Sequence, residues 1–174
     1  MLLIFKRTLV TISIGFLILS VYYFFPESKL PLNVKIDNLV IVKSKRQLLA
    51  YSNEKLIKSY KISIGRQTIG DKQFEGDNKT PEGIYFINDK NPNSRYHKNL
   101  GISYPNKDDM ENAKQLGKSP GGAIKIHGLP NGVWFISKFH RWTDLTNGCI
   151  MVTDQEIDEL YYSVKIGSKI DIKP

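Results

Sequence analysis

The only cysteine of this 174-residue chain, Cys149, stands in the stretch TNGCIMV. A thiol in front of a β-branched run is ordinarily a small buried hydrophobe, but at the start of a strand it can also act as a nucleophile. One cysteine excludes an internal disulfide and any zinc site built from several cysteines. The chemistry of Cys149 therefore depends on which residues can take its proton.

A candidate proton acceptor, His127, ends the stretch AIKIH. Because side chains alternate between the two faces of a strand, Ile124 and Ile126 are predicted to face the core. Lys125 and His127 are then predicted to face the other way. A lone histidine after an apolar strand is more often structural than catalytic, so this position alone does not decide its role.

The stretch that follows the thiol has the same alternation. Ile150 and Val152 are predicted to be buried, which leaves Cys149 and Met151 on the open face of their strand. If the two strands are neighbours, the His127 imidazole could take the thiol proton, and the thiolate could attack an acyl carbon. The imidazolium would then protonate the leaving amine.

The residue before the cysteine, Gly148, leaves space beside the thiol because glycine has no side chain. Backbone N–H groups of residues 147–149 could donate to a developing oxyanion, an interaction worth about 3–4 kcal/mol per donor. An alternative is a zinc site made by His97, His127, His140 and Cys149. This set contains no local ligand pair of the kind found in metal motifs, so the sequence predicts neither a metal nor a cofactor.

The N-terminus contains an apolar segment, residues 8–25, that has no charged side chain. As a helix it would rise about 27 Å, close to the thickness of a bilayer core. Lys6 and Arg7 precede it, which predicts that the rest of the chain lies outside the cytoplasm, and Tyr22 and Tyr23 suit the membrane interface. The residues at its end are bulky, unlike a signal-peptide cleavage site. We therefore predict an uncleaved inner-membrane anchor with the domain in the periplasm; a buried helix of a soluble fold is the alternative.

The formal net charge of +8 favours anionic partners such as lipid headgroups, nucleic acids or acidic polymers. The hydrophobic fraction of 41% and the charged fraction of 24% are ordinary for a globular protein. No dense Lys/Arg cluster with interleaved aromatic residues is present, so nucleic-acid binding is not predicted. A lysine-rich solvated surface is the alternative explanation of the charge.

Beyond the anchor, the sequence predicts many short strands and two helices. β-Branched runs predict strands over residues 39–42, 47–52, 59–64, 83–87, 123–127, 133–136 and 168–172. Helices are predicted over residues 108–116 and 154–164, the second with Asp154 as its N-cap. Residues 69–80 and 88–106 are predicted to be loops. This pattern predicts a mainly β domain, with a mostly antiparallel sheet folded as a sandwich or barrel.

The predicted organisation has four parts, in order a short cytoplasmic N-terminus, a transmembrane anchor, a linker and a catalytic domain. Their bounds are residues 1–7, 8–25, 26–36 and 37–174.

Together, the two candidate stretches resemble the active-site signature of the L,D-transpeptidases, the YkuD-type catalytic domain. The signature runs His-Gly, a gap, then Ser/Thr-x-Gly-Cys-Ile/Val, and here it stands as His127-Gly128 and Thr146-Asn147-Gly148-Cys149-Ile150. Upstream, GDKQFEGDNKTPEGIYFI looks like the family's Gly-Asp-x-x-Thr-Pro-x-Gly stretch. NPNSRYHKNLGISYPN and GGAIKIHGLPN look like the branch found in Gram-negative envelopes. The resemblance covers residues 37–174.

The resemblance implies a mostly β fold with the cysteine in a groove, and a peptidoglycan stem tetrapeptide as substrate. The thiol would attack the third residue of the stem and release the terminal D-Ala. The acyl-enzyme would then pass the stem to an amine, giving a 3→3 cross-link or an attached envelope lipoprotein. Water as acceptor would make the enzyme a carboxypeptidase or hydrolase, and a catalytically silent peptidoglycan-binding module is a further alternative. Inhibition by carbapenems is also implied.

The resemblance also implies residue roles. Cys149 is the nucleophile, His127 is the general base and acid, and the Gly128 carbonyl orients His127. The Gly148 and Cys149 amides, with Asn147, would form the oxyanion hole. Thr146 occupies the family's Ser/Thr position and would steady the loop.

The chain departs from the family pattern at Met151, where many members carry Arg or Asn. We predict that Met151 affects which substrate binds, and leaves the reactivity of the thiol intact. Further candidate substrate contacts are His140, Arg141 and Trp142, which precede the cysteine, and Arg95, which could bind a stem carboxylate. Packing is the alternative role for His140, Arg141 and Trp142.

Overall fold

The computed structural model describes residues 2–174, with side chains from residue 4 onward. The chain begins with α1, Leu2–Phe24, which starts six residues before the predicted anchor segment. Within it Ile4–Phe24 is long and apolar enough to cross a membrane, a criterion that a signal sequence also meets. The side chains along most of α1 are exposed, so this helix is not a buried core helix.

A sheet of eight strands in the described residues forms the body of the domain. The strands are β1 Ile36–Val42, β2 Gln47–Ser52, β3 Lys55–Lys61, β4 Gly83–Ser94, β5 His97–Ile102, β6 Lys125–His127, β7 Ile150–Met151 and β8 Val164–Lys173. Their order across the sheet is β3-β2-β1-β8-β4-β5-β6-β7. Five neighbouring pairs are antiparallel, whereas β1–β8 and β6–β7 are parallel. The mainly β, mostly antiparallel fold predicted from the sequence is confirmed.

Both predicted helices of the domain are present, as α2, Lys107–Gln115, and α3, Asp154–Ser163. Each begins with a capping box, in which the N-cap side chain and the third helical residue satisfy each other's backbone N–H groups. The N-cap of α3 is Thr153, so the prediction of Asp154 was wrong. The Asp154 carboxylate instead accepts a hydrogen bond from the Leu129 N–H at 2.8 Å, next to the strand that carries His127.

The core is one cluster of Ile, Leu, Val and Tyr side chains between the sheet and α3. It includes Leu30, so part of the predicted linker packs against the domain. The loop predicted over residues 69–80 is confirmed and is held by two lysines. Lys43 is fully buried and bonds to the Gly70 and Thr80 carbonyls. Lys72 forms a buried ion pair with Asp77 at 2.8 Å. These contacts fix the loop on which the cysteine loop rests.

Two predictions about secondary structure were wrong. Residues 88–106 are no loop, because β4 continues to Ser94 and pairs with β5, through a hairpin with irregular register. Cross-strand pairing there overrides the low strand propensity of its Asn, Pro and Ser residues. The strand predicted over residues 133–136 is instead the start of an aromatic 3₁₀ segment, Trp134–Trp142, kinked at Ser137. Both Trp134 and Phe135 are exposed there, so the alternation that a half-buried strand requires is lacking.

Candidate active site

The strands that carry the two candidate reactive residues are parallel neighbours. Ile126 pairs with Ile150, and His127 pairs with Met151. Cys149, two residues before Met151, is therefore diagonal to His127 on the same face, while Ile126 and Ile150 are fully buried on the other. Cys149, His127 and Met151 all line one cavity of about 850 Å³. The sheet thus brings thiol and imidazole to one wall of a cavity large enough for a peptide.

The imidazole of His127 has a fixed orientation. Its Nδ1–H donates to the Gly128 carbonyl at 2.7 Å, which leaves the Nε2 lone pair available as a base. The Tyr96 ring packs against it with centroids 4.5 Å apart. Only 5% of His127 is exposed, because the strand face opposite Ile126 forms part of the cavity wall. Burial lowers the pKa of His127; the hydrogen bond to Gly128 opposes this shift, and the charge of Lys125 adds to it.

The Gly128 position has no room for a side chain. A Cβ there would lie 2.7 Å from Asp154 Oδ1 and 3.0 Å from a methyl group of Ile157. The Gly128 N–H is held by the carbonyls of Tyr96 and Lys98. Glycine thus lets α3 and the β4–β5 hairpin approach the carbonyl that orients His127.

The thiol of Cys149 is free and partly exposed. It donates to the Ala123 carbonyl at 3.6 Å, and within residues 2–174 the structure has no hydrogen bond between it and His127. Burial raises the pKa of the thiol, opposed by the Lys125 N–H and by the charges of Lys125 and Lys72. With one pKa raised and the other lowered, the resting pair is a neutral thiol beside a neutral imidazole.

The side chain of Thr146 closes the loop that holds the thiol, by bonding to two backbone groups of that loop. The Thr146 hydroxyl donates to the Cys149 carbonyl at 2.6 Å and accepts from the Gly148 N–H at 3.1 Å. The Gly148 amide is therefore already engaged, and the Asn147 and Cys149 amides remain candidates for an oxyanion hole. Gly148 has φ +130°, and a Cβ there would lie 2.6 Å from the Lys79 carbonyl. Both facts require glycine next to the thiol.

Met151 is buried, with 6% of its surface exposed, so the prediction of an open position was wrong. It lies in the cavity wall, directly opposite His127. His140 also lines the cavity, although only 2% of it is exposed. Among the described residues neither of its ring nitrogens has a hydrogen-bond partner. Burial, with the charges of Arg141 and His127, lowers the pKa of His140 to about 4.

Of the remaining predicted substrate contacts, one lines the cavity and two lie outside it. Arg95 lines the cavity and is exposed. Arg141 lies outside it, with its guanidinium bonded to Glu27 and Glu156, each at 2.7 Å. Trp142 is also outside the cavity wall and packs on Tyr22 of α1. The cavity therefore gathers His140 and Arg95 with the two reactive residues but not Arg141 or Trp142.

The cavity also contains polar residues that the sequence did not single out. Among them are Arg66, Tyr96 and Asn99. Lys125 also lines the cavity, on the strand face of His127 where alternation puts it. Arg66 is brought in by its N–H bond to the Thr146 carbonyl, and Asn99 by its pairing opposite His127 in β5. Those pairings join segments distant in sequence, so no local pattern predicts them.

Two other groups near the site have structural contacts. Asp144 bonds to Arg46 and accepts from the Ile64 N–H at 2.9 Å, which ties the cysteine loop to the sheet. In the part of the chain that the structure describes, no group of three or more His, Cys, Asp or Glu side chains is placed to hold a metal ion.

Comparisons of the sequence with known proteins point to one family. The sequence model of the YkuD family, described as the L,D-transpeptidase catalytic domain, matches residues 37–172. YafK of Escherichia coli strain K12, provisionally named an L,D-transpeptidase, is 33% identical over 111 residues, which are 63% of this chain and 37% of YafK.

Solved structures agree with this. Pgp2 of Campylobacter jejuni, described as a helical cell shape determining protein, is 28% identical with a TM-score of 0.60, over 82% of this chain and 49% of Pgp2. Bd1075 of Bdellovibrio bacteriovorus is 26% identical with a TM-score of 0.53, over 80% and 48% of the two chains. An L,D-transpeptidase of Mycobacterium smegmatis, 12% identical with a TM-score of 0.53 over 79% and 58%, shares the fold. This chain spans about half the length of Pgp2 and Bd1075, and just over a third of YafK.

Proposed function

Because the chain belongs to the YkuD family of L,D-transpeptidase catalytic domains, we propose that it is a cysteine-dependent L,D-transpeptidase of peptidoglycan stem tetrapeptides. One observation carries the proposal. The parallel pairing of β6 and β7 puts the free thiol of Cys149 and the oriented imidazole of His127 on one wall of an 850 Å³ cavity. Nucleophile and base in one cleft are the minimum that acyl transfer through a thioester needs.

The first half-reaction forms the acyl-enzyme. The His127 Nε2 takes the Cys149 thiol proton as the sulfur attacks the carbonyl carbon of the third stem residue. The tetrahedral oxyanion is stabilised by the Asn147 and Cys149 amides. It collapses with cleavage of the peptide bond to D-Ala, whose amine takes the proton from the imidazolium. The products are a thioester on Cys149 and free D-Ala.

The second half-reaction releases the stem. An acceptor amine gives its proton to His127 Nε2 and attacks the thioester, and the thiolate that leaves takes the proton back. The result is a new amide bond and a regenerated neutral thiol. The Nδ1–H bond to Gly128 holds the ring in one orientation and keeps Nε2 as the basic nitrogen throughout both steps.

The neutral resting state suits a substrate-triggered mechanism. Since the pKa of the thiol is raised and that of the imidazole lowered, the thiol loses its proton as it attacks the bound carbonyl. Lys125 lies close enough for its charge to lower both pKa values, so it stabilises the thiolate as that forms.

Substrate recognition is proposed for polar side chains of the cavity wall. Arg95 and Arg66 are exposed cations, suited to the stem's carboxylates. His140 lines the cavity with ring nitrogens that have no partner among the described residues and would bond to a polar group of the substrate. Thr146 and Asn147 belong to the loop that would contact the scissile bond. Met151 contributes an apolar surface where many family members carry a polar one.

The location and role are proposed on the same basis. With α1 retained as an anchor, the domain lies on the periplasmic side of the inner membrane, where peptidoglycan is found. Pgp2 is described as determining helical cell shape, and its likeness to this chain supports a role in cell-wall organisation and shape. An envelope lipoprotein as acceptor remains a proposal that rests on the family alone.

Product analysis tests the proposal and its alternatives. The full chain in detergent is incubated with disaccharide-tetrapeptide, beside Cys149→Ala, and products are followed by mass spectrometry. We expect loss of D-Ala with a cross-linked dimer for the wild type and no product for the variant. Loss of D-Ala without dimer would assign carboxypeptidase activity to the same site. No turnover of a folded wild type, with retained binding of the muropeptide, would assign a silent binding module and overturn the proposal.

A further inference from the structure

The end of α1 packs against the aromatic 3₁₀ segment, Trp134–Trp142. Tyr22 stacks near Phe139 and Trp142, with ring centroids 5.7 and 5.6 Å apart, and its hydroxyl donates to the Lys138 carbonyl at 3.3 Å. In return, the Lys138 ammonium donates to the Phe25 carbonyl. The helix therefore meets the domain through a defined aromatic and polar contact.

The same segment forms one wall of the catalytic cavity. Ile136, Phe139 and His140 line it, and Phe139 also stacks on Tyr23 of α1, with centroids 5.7 Å apart. A single side chain thus separates the end of the apolar helix from the cavity that holds Cys149.

The outer surface of the segment is aromatic. Trp134, Phe135 and Trp142 are 66%, 55% and 60% exposed. The two cationic side chains of the segment are not part of this surface. Lys138 and Arg141 are buried and both pair with Glu27. Large exposed aromatic side chains grouped on one element indicate an interaction surface.

The length of α1 sets the depth of this surface. Its uncharged stretch begins after Lys6 and Arg7, and residues 8–24 of the helix rise about 26 Å, close to the thickness of a bilayer core. Tyr22 therefore lies near the outer end of the hydrocarbon, and Trp142, whose ring is 5.6 Å from it, lies close to the same depth. Trp and Tyr favour this interfacial zone because they have an apolar ring and a polar N–H or O–H.

We propose that the outer surface of the 3₁₀ segment, Trp134, Phe135 and Trp142, lies in the lipid interface of the membrane that α1 spans. The partner is the headgroup region of the outer leaflet. The catalytic cavity, whose wall is this segment, is then held at the membrane surface and acts on membrane-proximal peptidoglycan. The proposal rests on the membrane anchorage included in the proposed function.

The sequence offers a direct probe, because its two tryptophans, Trp134 and Trp142, are both on this surface. The full chain is reconstituted into phosphatidylethanolamine–phosphatidylglycerol vesicles whose acyl chains carry bromine at a shallow or a deep position. We expect loss of most of the tryptophan fluorescence with shallow bromine, less loss with deep bromine, and weak quenching by aqueous acrylamide. Trp134→Phe and Trp142→Phe, measured singly, give the depth of each ring.

The matched control moves the probe to another element. Phe86 is half-exposed on β4, so Phe86→Trp in a chain that also carries Trp134→Phe and Trp142→Phe reports on a surface outside the segment. We expect acrylamide, and not brominated lipid, to quench it. Equal quenching of this control by lipid would overturn the assignment to the 3₁₀ segment.

Two further outcomes separate this proposal from the anchorage on which it rests. Release of the chain by alkaline carbonate would contradict the anchor and with it the interface. Retention of the chain with tryptophans quenched only by acrylamide would overturn the interface alone. Fluorescence that responds to added muropeptide but not to brominated lipid would assign the aromatic surface to the glycan strand, and would also overturn the proposal.

Discussion

Met151 lies directly opposite His127 across the parallel β6–β7 pair, one step of strand alternation beyond Cys149. The position where many family members carry a polar residue is therefore a buried part of the wall beside the imidazole. Burial lowers the pKa of His127, and Met151 is the residue paired with it in the neighbouring strand. The departure from the family pattern at Met151 therefore changes the surroundings of the His127 imidazole, and it leaves Cys149 and His127 themselves in place.

Replacing Met151 should change substrate binding more than thiol reactivity. Met151→Gln keeps the length of the side chain but adds a polar group to a buried wall, at a cost of about 1–3 kcal/mol in unfolding free energy. We expect the rate of thiol alkylation by iodoacetamide to be unchanged and KM for the tetrapeptide to rise. Met151→Leu is the matched apolar control. Loss of alkylation in a Met151→Gln protein that retains its circular dichroism spectrum would contradict this role.

The pH dependence of the site follows from the two pKa shifts. The pKa of the thiol is raised, so alkylation by iodoacetamide should increase with pH through a midpoint above the usual range of a thiol. The pKa of His127 is lowered, so the base stays neutral, and turnover should persist, at pH values below the usual range of an imidazole. Alkylation rates measured across a pH series report on the thiol, and turnover rates measured across the same series report on His127. Alkylation already maximal in weak acid would indicate a preformed thiolate–imidazolium pair instead.

Gly148 is predicted to be indispensable for the position of the thiol. In Gly148→Ala, the new Cβ would overlap the Lys79 carbonyl, and φ of +130° adds backbone strain of about 1–3 kcal/mol. We expect turnover to fall sharply, with a lower thermal midpoint. Gly132→Ala is the control, because Gly132 has φ +90° but open space around its Cα. Equal losses of turnover in the two variants would show that strain alone, and not contact with the residue-79 carbonyl, sets the effect.

His140 should make the domain sensitive to acid. Its pKa is about 4 in the folded chain against an ordinary value of 6.5, so between these values the unfolded chain binds more protons. Protonation therefore favours the unfolded chain, and the free energy of unfolding falls by about 3 kcal/mol as the pH is lowered from 6.5 to 4.

We expect His140→Phe to flatten that part of the stability profile, measured by denaturant unfolding of the full chain in detergent. The control is His97→Gln, which changes a half-exposed histidine paired with Asp158 and should retain the acid sensitivity. An unchanged slope in His140→Phe would contradict the account.

Strand alternation predicted much of the site, because it depends only on neighbours in the chain. It correctly buried Ile126 and Ile150, and it put His127 and Cys149 on the opposite faces of their own strands. That these two faces meet comes from the parallel pairing of β6 and β7, which alternation does not predict. Nor could alternation predict that these faces are themselves covered. The enclosure of His127 comes from Tyr96 and the 3₁₀ segment, which are brought in by tertiary packing.

The residues that sequence reasoning misplaced share a physical cause. Arg141 looked like a substrate contact because it precedes the cysteine, but its partners Glu27 and Glu156 are 114 and 15 positions away. The hairpin formed by β4 and β5 was missed because pairing, and not propensity, holds its polar residues. Both depend on contacts that no local pattern encodes.

The acyl-enzyme is the most direct test of the central claim, that Cys149 is the nucleophile and His127 its base. The full chain in detergent is mixed rapidly with tetrapeptide muropeptide, quenched in acid, and measured by intact-protein mass spectrometry with peptide mapping. The account predicts a thioester adduct that maps to Cys149, has lost D-Ala, is absent in Cys149→Ala and forms far more slowly in His127→Gln. Release of D-Ala at the same rate by wild type and Cys149→Ala would contradict it.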